Sequence, residues 1–587
     1  MAGRRRSEVS LRMRFGMLCF VGWSDQVEQP GLTGYFPMAE SQATQPAPAK
    51  RLPLPDVGDF IFLLLLQVPL FLRPNFVFGD GSTGWHLVTG DWILLNHAVP
   101  NHDLISYTMP NQPWVAYEWL SDVVMALAVR AGGLNLLAVL VSCSVALLTL
   151  LIYDRCRKEG CHFALATCLT MLACFLTAIH WLARPILFLF FGVYIFSTKL
   201  EDFHRGTVSG TKLILFLTLT MLIWVNTHPS WVLGIVFLAI YLVSNLVTWA
   251  AAPLPELRKE AFSKIRWLIL ASLLSIGASF VNPYGLRLHE YIYSYFSMYQ
   301  LHGNQIQEHS NEFASPVFHY AFQPFCLEIL FALLIIGLAI GAKRLAMPRL
   351  LCCVAFSHLA LSAVRNMPLF GIVVTPAIAQ LFARLQLFPG IEQESSPTRW
   401  RQLLGNASAK LRQLSDNFDE QEALCKMHLL PIAAFVFLVI VAVNGGKAFG
   451  TQILNSGWDP ESKPTAILDV LSQYEQKGLS PTTGFNMDNW GGLIRYKLGA
   501  ERGRVFIDDR ANVYGDPFYL EYGRVCEGSS GWQDVLRKYK IDWVLFPKDS
   551  RLCANLHDDP NWQLAGEDQA SCLYIRKAKF EALKLAH

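Results

Sequence analysis

The chain has 587 residues, of which 52% are hydrophobic and only 16% are charged. This composition is too apolar and too poor in charge for an ordinary soluble protein. The 49 Lys and Arg residues nearly balance the 46 Asp and Glu residues, and the net charge of +3 argues against a nucleic acid as the partner. The sequence therefore predicts a membrane protein, in which charge is confined to loops and soluble parts.

The N-terminal segment differs from everything that follows it. It contains Arg4–Arg6 and then a stretch rich in Pro, Gln, Ala and Ser. Such a stretch buries too little apolar surface to offset the entropy of ordering the chain. We therefore predict that residues 1–56 form a disordered cytoplasmic tail.

Eleven apolar runs then follow, each near the length of about 20 residues that a hydrocarbon core of ~30 Å requires. They lie near 57–73, 133–153, 162–182, 185–200, 211–228, 231–250, 266–281, 322–342, 348–364, 367–386 and 427–445. We predict a transmembrane α-helical domain over residues 57–445 with about eleven spans.

Basic loops fix the predicted orientation. Residues 154–158, 199–212, 256–266 and 343–349 carry the Lys and Arg, and all four lie on one side if the spans alternate. The positive-inside rule makes that side cytoplasmic. We expect an integral membrane protein.

Polar motifs then collect on the opposite, extracytoplasmic face. These motifs are Gly79–Leu120, Arg184-Pro185, Asn226–Pro229, Asn282–Gly285, Glu308–Pro316 and Arg365–Pro368. Because charge alone fixed the topology, their gathering on one surface predicts a functional site there.

The first outer loop, 74–118, is unusually rich in titratable groups. Asp80 follows the first span, where a partly desolvated carboxylate could accept a proton from a hydroxyl. Equally, Asp-Gly-Ser-Thr is good N-capping sequence for a helix that starts near Trp85. His86, His102 and Asp103 could orient a phosphate or bind a metal, although neither HxxxH nor DxD spacing is present.

Glu118 completes the candidates of this loop. It precedes an apolar helix, where the helix dipole alone favours an acid, and a role in the site is the alternative. We predict no metal ion and no cofactor for the protein, since the spacings give a divalent ion no support.

Further candidates lie at the outer ends of later spans. Arg184 and Arg365 could snorkel to headgroups, or could bind a lipid-linked phosphate, which Arg recognises with two parallel hydrogen bonds. His228 could help to neutralise a leaving group, or could merely belong to a turn with Pro229.

Residues 446–587 have the character of a soluble α/β domain. Helices are predicted at Pro464–Gln476, Trp490–Leu498 and Trp532–Tyr539, and strands at Thr482–Asn486, Arg504–Asp508, Asp542–Phe546 and Cys572–Arg576. By parity this domain is extracytoplasmic. Neither GxGxxG nor a Walker loop is present, so no nucleotide site is assigned.

Two features of this domain leave alternatives open. Asp509, Arg510 and Tyr514 follow the strand predicted at 504–508, and strand ends often bind ligands, but an Asp–Arg pair that braces a turn is the simpler interpretation. Cys526, Cys553 and Cys572 allow one disulfide, whose pairing the sequence does not select.

Several motifs together resemble a known superfamily. They are GDGSTGWHLVTGDWIL, VPNHDLISYT, WVAYEWL, HWLARP, NPYGLRL, VRNMPLF and FIDDRANVYG. Over residues 60–576 the chain resembles the GT-C glycosyltransferases, which use polyprenyl-phosphate-linked sugars and include oligosaccharyltransferases, protein mannosyltransferases, aminoarabinose transferases and related bacterial membrane proteins. A bacterial inner membrane is the location that this resemblance implies.

The resemblance implies that Asp80 is the catalytic aspartate of the first loop, a general base for an inverting transfer with lipid phosphate as leaving group. Relatives often read Asp-Gly-Asp-Thr here, whereas this chain has Ser82 in place of the second acid. The departure weakens any metal site and leaves open an altered activity.

The sequence thus predicts an integral-membrane glycosyltransferase. Its expected partners are membrane lipid, a polyprenyl-phosphate-linked sugar donor and an outer-face acceptor such as a glycan, lipid or protein. Two alternatives come from other classes: a transporter or flippase of lipid-linked glycans, and a non-catalytic scaffold for polysaccharide assembly.

Overall fold

The computed structural model describes residues 54–301, 312–319, 321–341, 345–383 and 428–585, and parts of 410–425, without the side chains of 295–301. The tail predicted over residues 1–56 lies almost wholly outside these residues. The first thirteen described helices are α1 (Val57–Gln67), α2 (Ser82–Asn96), α3 (Trp119–Lys158), α4 (Phe163–Thr177), α5 (Ile186–His204), α6 (Gly210–Thr227), α7 (Val232–Ala251), α8 (Pro255–Ser279), α9 (Leu286–Leu301), α10 (Phe322–Gly341), α11 (Met347–Ser362), α12 (Met367–Phe382) and α13 (Leu429–Val443).

Helices occupy all eleven positions at which spans were predicted. Seven helical segments are long and apolar enough to cross a membrane: Trp119–Lys158, Phe163–His180, Gly210–Thr227, Pro229–Ala251, Pro255–Ser279, Phe322–Gly341 and Val364–Phe382. Shorter apolar helices at Val57–Leu72, Met347–Ser362 and Leu429–Val443, together with α5, fill the other four positions. The prediction of a polytopic helical membrane protein with a soluble domain is confirmed.

The outer loop predicted over 74–118 contains a helix of its own. Helix α2 fills its first half and ends where His97 adopts a left-handed conformation, with φ of 51°. Helix α3 begins directly after the loop, earlier than the predicted span. It is interrupted at Gly132 and Gly133, and Gly133 has a φ of 64° that favours glycine.

Basic residues at one end of the bundle are neutralised in a buried ion-pair network. Glu159, which follows α3, pairs with Arg155 at 2.9 Å, Arg205 at 2.7 Å and Arg349 at 3.0 Å. Glu201 also pairs with Arg205 at 2.7 Å. Helices α3, α5 and α11 therefore bring their basic ends together, as strict alternation of the spans requires.

The C-terminal domain contains most of the β-structure. Its helices are α14 (Ile467–Gln476), α15 (Asp488–Arg502), α16 (Ala511–Tyr514), α17 (Asp516–Cys526), α18 (Trp532–Lys538), α19 (Arg551–Asp558) and α20 (Lys577–Leu585). Its strands are β1 (Lys447–Ala448), β2 (Thr451–Gln452), β3 (Gly484–Asn486), β4 (Trp543–Pro547), β5 (Trp562–Glu567) and β6 (Ser571–Arg576). Strands β1 and β2 form a small antiparallel pair, and the other four form a sheet in the order β3-β4-β6-β5, with only β3 and β4 parallel.

The strand predicted at Arg504–Asp508 is wrong. This segment joins no strand of the sheet, and instead Val505 forms an isolated parallel bridge with Ser106 of the outer loop. Tyr107 Oη donates to the Gly484 carbonyl at 2.8 Å, and Thr108 Oγ1 donates to the Phe506 carbonyl at 2.6 Å. The alternation of apolar and polar residues predicted an extended segment. Its partner, however, is a loop about 400 residues earlier in the chain.

Small residues allow the outer loop to pack closely on the C-terminal domain. A Cβ atom on Gly84 of α2 would clash with the Gly492 backbone of α15, and a Cβ on Gly492 would lie 2.8 Å from the Gly81 carbonyl. The Trp490-Gly491-Gly492 motif therefore provides a close helix–helix approach. Tyr284 holds the loop from the other side, because its hydroxyl accepts from the Ala116 amide at 2.9 Å.

Candidate functional site

A cavity of about 2380 Å³ lies where the helical bundle meets the C-terminal domain. Eight of the eleven candidate residues line it: Asp80, His86, Glu118, Arg184, His228, Arg365, Asp509 and Arg510. His102, Asp103 and Tyr514 are not among the lining residues. The cavity lies at the opposite end of α5 and α11 from the ion-pair network, since Ile186 and Leu359 line it while Arg205 and Arg349 belong to the network. The predicted gathering of polar motifs at one end of the bundle is therefore observed.

Asp80 is held by a charge and by local hydrogen bonds. It lies between a short 3₁₀ turn, Phe76–Phe78, and α2. Its Oδ2 atom is 2.7 Å from Arg184 Nη1, and its Oδ1 atom accepts from the Ser82 amide at 2.7 Å and also from the Ser82 hydroxyl. Burial alone would raise the pKa of Asp80, but the Arg184 charge and the Ser82 hydrogen bonds outweigh it and lower the pKa to about 2. Asp80 is thus ionised and paired at neutral pH.

The helix-capping interpretation of Asp80 accounts for one of its two oxygens. Helix α2 has Gly81 as its N-cap, without a side-chain capping bond, and Asp80 reaches only the Ser82 amide. The second oxygen faces Arg184, which also lies 3.4 Å from Glu312. Helix capping therefore explains the hydrogen bond from the Ser82 amide but does not explain why the other oxygen of Asp80 pairs with Arg184 in the cavity.

Glu118 lies between two imidazoles. Its carboxylate oxygens are 3.9 Å from His86 Nε2 and 3.6 Å from His228 Nε2. Burial is the main cause that raises the pKa of Glu118 to about 8, whereas burial lowers the pKa of His86 to about 3 and that of His228 well below its usual value. At neutral pH this group therefore holds a protonated carboxyl between two uncharged imidazoles.

The tautomer of His228 follows from its hydrogen bonds. Its Nδ1 atom accepts from the Ser230 amide at 3.2 Å and lies 2.7 Å from the Ser230 hydroxyl, which in turn accepts from Trp224 Nε1 at 3.0 Å. With Nδ1 occupied as an acceptor, neutral His228 carries its proton on Nε2. That N–H faces Glu118 and the cavity.

Two residues of the site were missed in the sequence analysis. Asp122, in the first turn of α3, lies 2.6 Å from His86 Nδ1 and is fully buried. The Lys463 side chain is 1% exposed and donates to the Asn489 carbonyl at 3.2 Å. The attraction of Asp80 and Asp509 opposes the burial that lowers the pKa of Lys463. A charged residue inside an apolar helix could have suggested Asp122, while nothing near Lys463 in the sequence pointed to it.

Asp509 connects the C-terminal domain to α2. Its Oδ1 atom accepts from Trp85 Nε1 at 2.8 Å. Burial, followed by repulsion from Asp80 and Asp508, raises the pKa of Asp509 well above its usual value. Asp509 therefore holds its proton more strongly than Asp80, which remains ionised, and the two carboxyl groups play different parts.

Arg510 is the centre of a sealed ion cluster. It pairs with Asp103 at 2.5 Å and with Asp508 at 2.6 Å, and it lies over the Trp114 ring at 4.5 Å. Tyr514 accepts from the Asp508 amide at 3.0 Å and is buried. The bracing interpretation accounts for these contacts, which join the outer loop to the C-terminal domain.

Arg365 lies beside the cavity on the 3₁₀ turn Val364–Asn366. Its guanidinium is 4.5 Å from the centre of the Phe313 ring, and its carbonyl lies 3.3 Å from His180 Nε2. Its amide donates to the Glu312 carbonyl at 3.1 Å. Arg365 and Arg184 therefore border the same part of the cavity around Glu312.

Within the described parts of the chain, one group of side chains has metal-ligand spacing. It comprises Asp56, Asp59 and His428, whose ligand atoms lie within 4.8 Å of one another. Asp56 and Asp59 form a reciprocal capping box at the start of α1, and His428 Nδ1 lies 2.7 Å from Asp59. These groups contact one another, although Asp56 Oδ2 is buried without a hydrogen-bond partner, and they do not line the cavity.

Comparisons with known proteins find solved structures only. No family model matches the chain, and no match is found among curated proteins. One solved match is ArnT from Cupriavidus metallidurans bound to undecaprenyl phosphate, with 14% identity, a TM-score of 0.43, and coverage of 88% of this chain and 97% of that chain. The apo state of the same protein matches with 14% identity, a TM-score of 0.44, and coverage of 90% and 98%. The chemistry of the site is therefore inferred from its own residues and the distances between them.

Proposed function

We propose that this protein is an integral-membrane glycosyltransferase that moves a sugar from a polyprenyl-phosphate carrier to an acceptor on the extracytoplasmic face. The observation that carries the proposal is the cavity, in which a paired carboxylate and guanidinium, Asp80 and Arg184, lie between membrane helices and a soluble domain. Asp80 acts as the general base.

The cavity suits an amphipathic ligand because both apolar and polar side chains line it. Many apolar side chains come from the bundle: Val68, Ile179, Ile186, Leu189, Val232, Leu233, Leu359 and Leu369. Several polar side chains come from the C-terminal domain: Asp488, Asn489, Asn512, Arg524, Glu527 and Ser550. A prenyl chain suits the apolar side chains, and a sugar and its acceptor suit the polar ones.

The Asp80–Arg184 pair gives donor binding a chemical consequence. A carboxyl whose pKa is about 2 is a weak base. A lipid phosphate that takes the guanidinium of Arg184 removes the charge that keeps this pKa low. Donor binding therefore raises the basicity of Asp80 where it is needed.

The transfer then balances without a metal ion. Asp80 takes the proton of the acceptor hydroxyl, whose oxygen bonds to the anomeric carbon from the face opposite the phosphate. The bond between that carbon and the phosphate oxygen breaks, and the electron pair leaves with the carrier phosphate. Arg184 stabilises the departing charge, and His228 Nε2–H is a further donor in the cavity.

The test follows sugar release from a polyprenyl-phosphate donor by purified protein. Asp80→Asn keeps the size of the side chain but not its basicity, and we expect turnover to fall by about 10²–10⁴-fold. The matched control is Asp91→Asn in helix α2, which follows Asp80, because Asp91 pairs with Arg130 at the surface, outside the cavity. Unchanged turnover in both Asp80→Asn and Asp80→Ala would refute Asp80 as the base, and donor movement across vesicles without sugar release would favour a transporter.

A further inference from the structure

Two cysteine thiols of the C-terminal domain lie against each other. Cys553 is in the first part of α19 and Cys572 is in β6. Their Sγ atoms are 2.9 Å apart, and the two residues are 3% and 4% exposed. Nonbonded carbon atoms are most stable at about 3.5–4.0 Å, and sulfur is larger. The two sulfurs are therefore already closer than an ordinary packing contact.

The backbone around the pair fixes both side chains in position. Cys572 is opposite Phe546 in the antiparallel pairing of β6 with β4. The Phe546 carbonyl lies 3.7 Å from the Cys553 sulfur and 3.9 Å from the Cys572 sulfur. The Cys553 amide donates to Ser550 Oγ, the cap of α19, at 3.2 Å. Both thiols are thus directed to one point by a helix cap and a sheet register.

The third cysteine of the domain has different neighbours. Cys526 lies in α17, where its thiol interacts with Tyr522 and is influenced by the charge of Asp488. The geometry therefore selects one pair from the three that the sequence allows.

We propose that Cys553 and Cys572 are joined by a disulfide in the mature protein. The proposal is independent of the catalytic role of Asp80, and it rests on the extracytoplasmic position predicted for this domain, since disulfides persist in oxidising compartments. The oxidant is a protein disulfide of that compartment. One cysteine thiolate attacks it to form a mixed disulfide, the second thiolate displaces the oxidant as a dithiol, and two protons and two electrons leave the pair.

The burial of the two sulfurs sets when the bond forms and how long it lasts. A folded domain with both thiols covered admits no protein oxidant, so the exchange takes place before α19 packs onto β6. Once formed, the bond is shielded from reductants by the same packing. It ties α19, whose cap Ser550 lines the cavity, to strand β6 of the sheet.

The direct test maps the thiols of the full-length protein. Cells are quenched with acid to stop thiol exchange, and the protein is denatured with an alkylating agent. It is then digested without reductant by a protease that cleaves at Asp and Glu, because no Lys or Arg lies between Cys553 and Cys572. We expect Cys526 to be alkylated, and Cys553 and Cys572 to be recovered in one linked pair of peptides that separates on reduction. Alkylation of all three thiols without reductant, or a link that includes Cys526, would overturn the proposal.

Single variants provide a second readout. Cys553→Ser should leave Cys572 free for alkylation and lower the midpoint of thermal unfolding, whereas Cys526→Ser should leave the linked peptides unchanged. A reductant present throughout the thermal scan reaches the bond as the domain opens, and it should lower the midpoint of the unaltered protein but not that of Cys553→Ser, which supports the bond even if the variant folds poorly. Equal shifts in both proteins would contradict it.

Discussion

Two carboxylate–arginine groups, both found where the bundle meets the C-terminal domain, have similar chemistry but different access to the cavity. Asp80 and Arg184 face the cavity with side chains that are 11% and 19% exposed. In the sealed cluster, Asp103 and Asp508 are 0% exposed, and Arg510, although it lines the cavity, is only 3% exposed and is bound to both carboxylates. A pair that a ligand can reach can exchange one partner for the ligand, whereas a sealed cluster can only hold two parts of the fold together. Access, not residue type, separates a site from a brace.

The largest loss of stability is expected from a substitution in the sealed cluster. Arg510→Ala leaves two buried carboxylates without their cation, and removal of one partner of a buried pair costs about 3–5 kcal/mol. We expect the free energy of unfolding in detergent to fall by that amount. Asp80→Asn should cost less, about 2–3 kcal/mol, because that is the stability gained when the pKa of an Asp falls from its usual value to about 2. Equal losses in the two variants would remove the distinction between brace and site.

The contact between Gly84 and Gly492 tests whether the joining of the outer loop to the C-terminal domain depends on close backbone packing. Gly492→Ala places a methyl group against the α2 backbone, and overpacking of this kind costs about 1–3 kcal/mol. The matched control is Gly523→Ala in α17, where a Cβ atom meets nothing within 4 Å. Thermal unfolding should therefore shift down for Gly492→Ala and stay level or rise for Gly523→Ala. A similar shift in both would mean that helix propensity, and not the contact, is being measured.

The raised pKa of Glu118 makes the stability of the site depend on pH. Its pKa is raised to about 8 in the folded state, above the usual carboxyl value of about 4.3. Between these values the folded state keeps a proton that the unfolded state has lost, so stability falls as pH rises, by at most about 1.4 kcal/mol per pH unit. Glu118→Gln is neutral throughout, and its unfolding curve should lose this slope between pH 5 and 8. Parallel slopes for the two proteins would show that Glu118 is ionised.

Much of this architecture could be predicted because its causes are local. Apolar runs of membrane-spanning length predicted a helix at each of eleven positions. The predicted strands at 482–486, 542–546 and 572–576 correspond to β3, β4 and β6. Alternating spans also predicted that Asp80, Arg184, His228 and Arg365 lie at one end of the bundle. That they do so follows from chain direction alone.

The failures share one physical reason, which is a partner distant in the sequence. The segment 504–508 has strand character, but it pairs with Ser106. Asp103 and Arg510 were predicted as separate candidates, and the sequence did not show that they pair with each other. No sequence pattern around Lys463 indicated a role for it, because only the packing of α2 on α15 brings it near Asp80. A single sequence shows which groups need a partner but not which partner they meet.

The most direct test of the proposed site is the binding of polyprenyl phosphate, which requires no knowledge of the sugar. A ligand that binds the folded state raises its stability by RT ln(1 + [L]/Kd), about 2.7 kcal/mol at 100 times Kd. Polyprenyl phosphate should therefore raise the unfolding midpoint of the unaltered protein and of Asp91→Asn, and should lose most of this effect in Arg184→Ala. Equal stabilisation of Arg184→Ala would contradict a lipid-phosphate site at the Asp80–Arg184 pair.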